Sequence, residues 1–128
     1  MDKKRNMVYN TGMRNTQKKG DIAVAQAIVD FTRLDMDVSL PITESAAYDI
    51  VVDDGESLRK VQVRFSKSKE VELRRIHSNS SGYVVKKTRK DAYDWLYVLR
   101  PTGEKYLIKK CYCNRRSVTP KAEDLLTI

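Results

Sequence analysis

Residues 48–65, YDIVVDDGESLRKVQVRF, predict a β-hairpin. The apolar segment 48–52 is followed by Asp53-Asp54-Gly55-Glu56, a combination typical of a turn between antiparallel strands. The next strand is predicted at residues 58–65, where Val61, Val63 and Phe65 alternate with polar residues, which is the period of a strand with one buried face. The polar face carries Lys60, Gln62, Arg64 and Ser66.

Three polar residues of this hairpin form a candidate metal site. Asp49 is the one acid inside the segment 48–52, and pairing of the strands would place it on one face with Gln62 and Arg64. A carboxylate and an amide oxygen suit Mg²⁺ or Mn²⁺, and a nearby cation can orient a phosphate, so the chemistry indicated is phosphodiester hydrolysis. Two simpler interpretations stay open: the polar face is only the solvated side of a strand, and Asp49 is a hydrogen-bond acceptor near the turn.

A helix is predicted upstream, over residues 17–34. At about 100° per residue, a narrow polar stripe that includes Lys19, Asp30 and Arg33 leaves the remaining surface apolar, which predicts a mostly buried helix. The same count places Asp21 on the apolar side, where a carboxylate needs a partner, or in the first turn, where it favours the helix dipole. Asp21 is therefore an additional candidate for the site.

The rest of the chain alternates short apolar segments with turn-rich segments. Strands are predicted at residues 37–40, 71–76, 83–85, 95–99 and 105–108, a loop at residues 77–82, and a short helix after Thr119-Pro120. Residues 1–15 form a basic N-terminal arm without apolar periodicity, and residues 16–128 form a single domain. The predicted order is thus one helix, four strands, further strands and a terminal helix.

The composition narrows the functional class. The 128 residues include 25 Lys and Arg and 17 Asp and Glu, and the net charge of +8 favours a polyanionic partner. No apolar segment approaches the roughly 18 residues of a membrane span, and the N-terminus lacks an apolar signal core, so we expect a cytoplasmic protein without a membrane partner. Cys111, Cys113 and the single His77 do not make a structural zinc set, and we expect reduced thiols.

Basic residues cluster along the later strands and are candidates for DNA contacts. Any single pair would be an ordinary solvated face, but several pairs interleaved with strands favour a surface that faces DNA. His77 lies among Ser and Asn residues, where a phosphate or base contact suits it better than general-base catalysis. The candidate DNA-binding residues are Lys60, Lys67, Lys69, Arg74, Arg75, His77, Lys86, Lys87 and Arg89.

Several of these segments resemble the PD-(D/E)XK endonucleases encoded in bacterial group I introns. The resemblance lies in Lys19-Gly20-Asp21-Ile22-Ala23, Pro41, the segment 48–55 and Val61-Gln62-Val63-Arg64, and it extends through residues 74–79, 93–97 and 105–108. It implies a restriction-endonuclease-like α/β core, in which a mixed β-sheet carries an N-terminal core helix and a short C-terminal helix. It also implies Mg²⁺-dependent cleavage of double-stranded DNA at long sites by a homodimer or homotetramer.

Within the resemblance, Asp49 matches the metal-binding aspartate, and Gln62 occupies the second acidic position. Two positions depart from the motif. Arg64 stands where a lysine is expected, and Val24 stands where a helix glutamate often supplies another ligand. A guanidinium stays protonated and cannot exchange a proton with water, and a valine cannot bind metal.

Three ways of accommodating these departures stay open: Asp21 supplies the missing carboxylate, Lys60 reaches in from the same strand face, or the protein binds DNA without cutting it. The favoured hypothesis is a site-specific Mg²⁺-dependent endonuclease with Asp49 and Gln62 on the metal and Arg64 near the scissile phosphate. One alternative is a catalytically inactive nuclease fold that acts as a DNA-binding or regulatory protein. Another, which rests on charge alone, is a basic RNA-associated protein.

Overall fold

The structure, a computed structural model, describes residues 13–79, 82–86 and 90–128, and the side chains of residues 16–74 and 90–128. One long helix, α1, spans Met13–Arg33. In the described part of the chain the strands are β1 Asp37–Ser39, β2 Ile50–Asp53, β3 Leu58–Phe65, β4 Val71–Glu72, β5 Arg75–Asn79, β6 Gly82–Lys86, β7 Trp95–Leu99, β8 Lys105–Ile108 and β9 Ser117–Val118. A 3₁₀ helix lies at Ala122–Asp124.

A five-stranded mixed sheet in the order β1-β2-β3-β7-β8 forms the centre of the molecule. Neighbouring strands are antiparallel except β3 and β7, which run parallel. Strands β2 and β3 form the predicted hairpin, and in their turn the carboxylate of Asp53 accepts the N–H of Gly55 over 2.9 Å. Gly55 has a φ of 95°, a conformation that side-chain-bearing residues rarely adopt. The predicted hairpin is confirmed.

Helix α1 packs on one face of the sheet through Ala23, Ala27 and Phe31, which are fully buried. The two alanines let the helix approach the strands closely, and the ring of Phe31 lies 6.2 Å from that of Trp95 and 5.9 Å from that of Tyr97. The sheet residues of this cluster are Ile50, Val52, Val61, Val63, Trp95, Tyr97 and Leu99. The cluster holds β2, β3 and β7 in place beneath the helix.

The exposure of α1 differs from the sequence prediction. Ile22 and Val29, expected to be buried, are 50% and 45% exposed, whereas Asp30, assigned to the polar stripe, is fully buried. Its carboxylate accepts hydrogen bonds from the hydroxyl of Tyr97 over 2.6 Å and from the ammonium of Lys105 over 3.0 Å. The prediction of a mostly buried helix was wrong because these partners on β7 and β8 compensate the buried charge and decide which side of the helix faces inward.

The opposite face of the sheet carries a second apolar cluster. Its buried members are Val71, Leu73, Ala92, Tyr93, Leu96, Val98, Ile108 and Val118. Strands β4 and β9 pair with each other and contribute Val71 and Val118 to this layer. Because both faces of the sheet are covered, all the residues of β7 are buried and the strand shows no polar alternation.

Several element boundaries differ from their predicted positions. Strands β3, β7 and β8 lie where the sequence predicts them, but the predicted strand 71–76 is divided between β4 and β5. The predicted loop 77–82 was wrong at both ends, because β5 continues to Asn79 and β6 begins at Gly82. Pairing between β5 and β6 satisfies the backbone of residues whose intrinsic strand preference is low.

The two ends of the chain also differ. Helix α1 begins at Met13, so the last residues of the predicted basic arm are helical, and the rest of that arm lies outside the described residues. The predicted C-terminal helix is reduced to the 3₁₀ helix Ala122–Asp124. No helix in the described residues combines the length and apolarity that crossing a lipid bilayer requires. Cys111, which is half-buried, and Cys113, which is exposed, are thiols rather than disulfide partners.

Candidate active site

Asp49 and Gln62 lie side by side where β2 begins. The amide Nε2 of Gln62 donates a hydrogen bond to Oδ2 of Asp49 over 2.9 Å. The backbone N–H of Val63 donates to the same oxygen over 2.8 Å. Both polar side chains belong to half-buried residues. The expected proximity of Asp49 and Gln62 is confirmed.

The register of the hairpin explains this position. Strand β2 begins at Ile50, opposite Val61, whereas β3 continues to Phe65. Beyond Val61, β3 has no partner in β2, and the side chain of Asp49 takes the place of a strand carbonyl by accepting the Val63 N–H. A carboxylate has about four acceptor sites, so Asp49 can keep these bonds and still bind another group.

Arg64 lies two residues after Gln62 on β3 and therefore on the same face of the sheet. This half-buried residue donates from Nη2 to the backbone carbonyl of Leu73 over 3.3 Å. It also lines a cleft of about 610 Å³ between α1, the end of β3 and the loop after β3, which we name the arginine cleft. The cleft is lined by Thr16, Lys19, Gly20, residues 63–68 and residues 70–72. Arg64 thus combines a contact to the protein with access to a ligand.

Two neighbouring groups contribute to the electrostatics of this face. Burial raises the pKa of the Tyr93 hydroxyl, and the positive charge of Arg64 opposes part of that rise. Lys60 donates from Nζ to the carbonyl of Asp91 over 2.7 Å, and its ammonium lies 5.9 Å from the ring centre of Tyr48. Lys60 is therefore held beside the residue that precedes Asp49, and its contribution to the site stays a prediction.

The donors at this site fit a hard divalent cation that keeps much of its water. Mg²⁺ commonly binds proteins through one or two carboxylates and completes its coordination with water and substrate phosphate. Asp49 offers a carboxylate, and a half-turn of the Gln62 amide would direct Oε1 rather than Nε2 to the same place. Among the described residues, no three His, Cys, Asp or Glu side chains converge as a metal-binding group. The described residues therefore suit a metal ion that is coordinated partly by the protein and partly by water and substrate phosphate, rather than one held by protein ligands alone.

Helix α1 does not provide the carboxylate in the way the sequence suggests. Asp21 is exposed and α1 begins at Met13, so both expectations for Asp21 were wrong: its carboxylate neither points inward nor lies in the first turn. The buried strip of the helix is formed by Ala23, Ala27 and Phe31. Val24 packs against the cluster between α1 and the sheet, on the face opposite to Gln62. Gly20, the neighbour of Asp21, lines the arginine cleft, and a Cβ atom added there would meet no heavy atom within 4 Å.

The candidate DNA-binding residues have different environments. Lys67 and Lys69 are exposed on the loop after β3, and Lys67 lines the arginine cleft. Arg74 forms a two-pronged ion pair with Glu72, in which Nε and Nη2 each lie 2.9 Å from a carboxylate oxygen. These hydrogen bonds lower the pKa of Glu72 to about 2. The side chains of Arg75, His77 and Lys86, and all of Lys87 and Arg89, lie outside the described residues.

Asp94, which the sequence analysis missed, supports β3 from the side opposite to Asp49. Its carboxylate accepts the Lys60 N–H over 2.9 Å, and its own N–H donates to the Lys60 carbonyl over 2.8 Å. Asp49 also makes two contacts with β3, but to two residues, since its carboxylate accepts the Val63 N–H and its own N–H donates to the Val61 carbonyl. The available signal was a Tyr-Asp dipeptide directly before an apolar strand, present at residues 48–49 and 93–94.

Arg100 is a second missed residue, and it holds the loop that carries Lys67 and Lys69. Its Nη1 donates to the carbonyls of Ser66, over 3.3 Å, and of Ser68, and its Nη2 donates to the carbonyl of Lys69 over 3.2 Å. These partners precede Arg100 by 34, 32 and 31 residues. No local pattern in the sequence signals such a contact.

Comparison with known proteins agrees with this architecture. The model of the PD-(D/E)XK endonuclease family matches residues 14–113, and the chain belongs to that family. Among solved structures it is similar to the bacterial homing endonuclease I-Ssp6803I, with a TM-score of 0.65 and 22% sequence identity over 84% of this chain and 80% of that chain. The likeness confirms the restriction-endonuclease-like α/β fold. No curated protein matches the sequence.

Proposed function

We propose that this protein is a site-specific, metal-dependent endonuclease that cuts both strands of DNA, with Mg²⁺ or Mn²⁺ as cofactor. The observation that carries the proposal is the contact between Asp49 and Gln62, on the same face of β3 as Arg64, in a chain of the PD-(D/E)XK endonuclease family. The net charge of +8 supports a polyanionic substrate.

Each residue of the site has a distinct role in this proposal. Asp49 and Gln62 hold the metal through their carboxylate and amide oxygens. When bound, the metal polarises a phosphoryl oxygen and lowers the pKa of a water molecule. Arg64 donates to oxygens of the scissile phosphate, and its permanent charge stabilises the negative charge that develops in the transition state. Because a guanidinium does not release its proton, Arg64 orients the scissile phosphate and neutralises its charge but does not transfer a proton.

Cutting both strands takes two copies of such a site, and we propose that the chain acts as a homodimer or homotetramer. A duplex presents one scissile phosphate on each strand, whereas the described part of one chain contains one Asp49–Gln62 pair. The exposed residues Ala25 and Val29 form an apolar surface on α1, which supports contact with a second copy. Light scattering should report a multiple of the chain mass, and Val29→Lys should lower it.

The basic residues would bind the DNA outside the scissile phosphate. Exposure of Lys67 and Lys69 supports phosphate contacts from the loop after β3. Lys60, Arg74, Arg75, His77, Lys86, Lys87 and Arg89 complete the proposed set. The likeness to a bacterial homing endonuclease supports the proposal that this protein is also a homing endonuclease, encoded in an intron. If its substrate is bacterial or phage DNA, the protein acts in the cytoplasm.

A cleavage assay tests this function. Supercoiled plasmids carrying a library of inserts are incubated with the protein and Mg²⁺, Mn²⁺ or Ca²⁺, and the ends of linear products are sequenced. We expect linear product at a small set of sites with Mg²⁺ or Mn²⁺, and none with Asp49→Asn. Cleavage that persists in this variant would reject the proposed site.

Arg64 supports a second candidate function, a DNA-binding or regulatory protein that has lost catalysis. An arginine at the position of the motif lysine cannot exchange a proton with water. This alternative predicts salt-sensitive DNA binding with no product in the presence of any divalent metal, and cleavage restored in Arg64→Lys. Robust cleavage by the unmodified protein would exclude it.

A further inference from the structure

A second cleft lies beside the arginine cleft, between α1 and the turn that joins β7 to β8. Its volume is about 560 Å³. Four of its lining residues are the cations Lys18, Lys19, Arg100 and Lys105, and none of the described residues that line it is acidic. We name it the lysine cleft. A cleft lined by charges of one sign concentrates the potential that attracts a counterion.

Nearby acids balance only part of this charge. The ammonium of Lys105 lies 3.0 Å from the buried carboxylate of Asp30, which compensates one of the four cations. Among the described residues, no carboxylate forms an ion pair with Lys18 or Lys19. Arg100 donates to neutral backbone carbonyls, which fix its guanidinium without cancelling its charge. The cleft therefore keeps a net positive charge for a ligand.

The two clefts are neighbours. Lys19 and Phe65 line both of them, and the ammonium of Lys19 lies 5.9 Å from the ring centre of Phe65. Arg64, the neighbour of Phe65 on β3, lines the arginine cleft. Cations thus line both clefts, Arg64 and Lys19 in the arginine cleft and Lys19 and Lys18 in the lysine cleft.

We propose that the lysine cleft binds the phosphate backbone of DNA next to the scissile phosphate, so that one strand passes from the arginine cleft over Lys19 to Lys18. This inference rests on the proposed function, since that function makes DNA the substrate and places Arg64 at the scissile phosphate. Lysine binds phosphate as a point charge and reads no base, so the cleft contributes affinity and position rather than sequence preference. The fixed guanidinium of Arg100 keeps both the cleft and the loop bearing Lys67 in place.

The test is the salt dependence of DNA binding in EDTA, where no cleavage occurs. The variant Lys18→Gln with Lys19→Gln removes two positive charges, and glutamine is nearly as good a helix former as lysine. The matched control is Lys109→Gln with Lys110→Gln, which removes the same charge from exposed residues just after β8, at the end of that strand away from Lys105. Fluorescence anisotropy with a labelled duplex measures the dissociation constant at several salt concentrations.

We expect the slope of log K against log salt to weaken by about 0.9 for each lost phosphate contact, about 1.8 for the double variant, with little change in the control. Equal slopes in the double variant and the control would overturn the proposal. If the double variant fails to fold, as judged by circular dichroism, Lys18→Gln alone should show about half of the effect.

The same measurements separate this inference from the proposed function. A weakened slope, in a protein whose Asp49→Asn variant still cuts DNA, would support the lysine cleft and reject the proposed active site. Loss of cleavage in Asp49→Asn with an unchanged slope in the lysine variant would support the nuclease and overturn the cleft. Tighter binding of a duplex RNA than of the DNA duplex of the same sequence would overturn DNA as the occupant.

Discussion

The carboxylate of Asp49 joins the beginning of β2 to β3 through a single oxygen, which lies 2.9 Å from Nε2 of Gln62 and 2.8 Å from the backbone nitrogen of Val63. Asp49 thus links β2 to β3 at the point where β2 begins, and it also supplies the carboxylate of the proposed metal site. Substitutions can separate these two roles, because asparagine keeps an acceptor oxygen but carries no charge.

Asp49→Asn should lower the cleavage rate by about 100-fold or more while changing the free energy of unfolding by less than about 1 kcal/mol. Asp49→Ala should also be inactive, but it leaves the Val63 N–H without its acceptor and should cost about 1–3 kcal/mol of stability. Urea denaturation and plasmid cleavage measure the two effects. Equal stability of the two variants would contradict the structural role of Asp49.

Gln62→Glu should make stability depend more strongly on divalent metal. A second carboxylate beside Asp49 introduces repulsion in EDTA, which lowers the melting temperature, and Mg²⁺ or Mn²⁺ should restore it by binding between the two acids. The matched control is Gln26→Glu, because Gln26 donates to Asp30 over 2.9 Å in the same manner. That variant should be destabilised with or without metal. A similar response of both variants to Mg²⁺ would argue against metal at Asp49.

Arg64→Ala should reduce cleavage more than it reduces DNA binding. Its guanidinium is proposed to stabilise charge that develops only in the transition state, and losing one such donor typically lowers the rate by about 100-fold or more. Arg64→Lys keeps a positive charge and should retain most of the cleavage. Single-turnover rates and anisotropy in EDTA give the comparison. If Arg64→Ala lowered the cleavage rate and the DNA affinity by the same factor, Arg64 would contribute to DNA binding only and not to stabilisation of the transition state.

Asp30→Ala should be among the most destabilising substitutions in the chain, by about 3–5 kcal/mol, because it leaves the Lys105 ammonium and the Tyr97 hydroxyl without their buried partner. Tyr97→Phe removes one hydrogen bond to that carboxylate and should cost less, about 1–3 kcal/mol. Burial and the bond to Asp30 raise the pKa of the Tyr97 hydroxyl, so it stays protonated as a donor at neutral pH. Denaturant unfolding measures both costs, and a neutral Asp30→Ala would refute the network.

Glu72→Gln should free Arg74 and tighten DNA binding. The hydrogen bonds from Arg74 lower the pKa of Glu72 from 4.5 to about 2, so the stabilisation from the pair is fully present above pH 4.5 and is lost as the pH falls toward 2. The Glu72 side chain is 43% exposed, which limits the contribution to about 1 kcal/mol or less.

The stability difference between the Glu72→Gln variant and the unmodified protein should therefore be constant above pH 4.5 and vanish in acid. The control for the DNA-binding measurement is Glu56→Gln, which removes the same negative charge from an exposed position in the β2–β3 turn. An equal gain in affinity from both variants would show that net charge, rather than Arg74, accounts for the effect.

The sequence by itself determined the centre of this protein. Alternation along residues 58–65 specified the two faces of β3, and the turn at residues 53–56 specified antiparallel pairing with β2. Together they place Asp49 near Gln62, because the chain reverses over a short turn and local geometry leaves few registers. Part of the resemblance to PD-(D/E)XK endonucleases lies in the same local segments, at residues 48–55 and 61–64.

Only the tertiary structure determined which side of α1 faces the sheet, and with it the burial of Asp30 and the exposure of Asp21. Apolar residues occupy most of the circumference of this helix, so its periodicity does not determine which side is buried. The side that carries Asp30 is buried because the partners of Asp30 lie 67 and 75 residues later in the chain. The carboxylate turned inward because Tyr97 and Lys105 meet it there, and Asp21 was left exposed. The lysine cleft arises in the same way, since its cations come from α1, the end of β7 and β8, and distant charges share a surface only after the chain has folded.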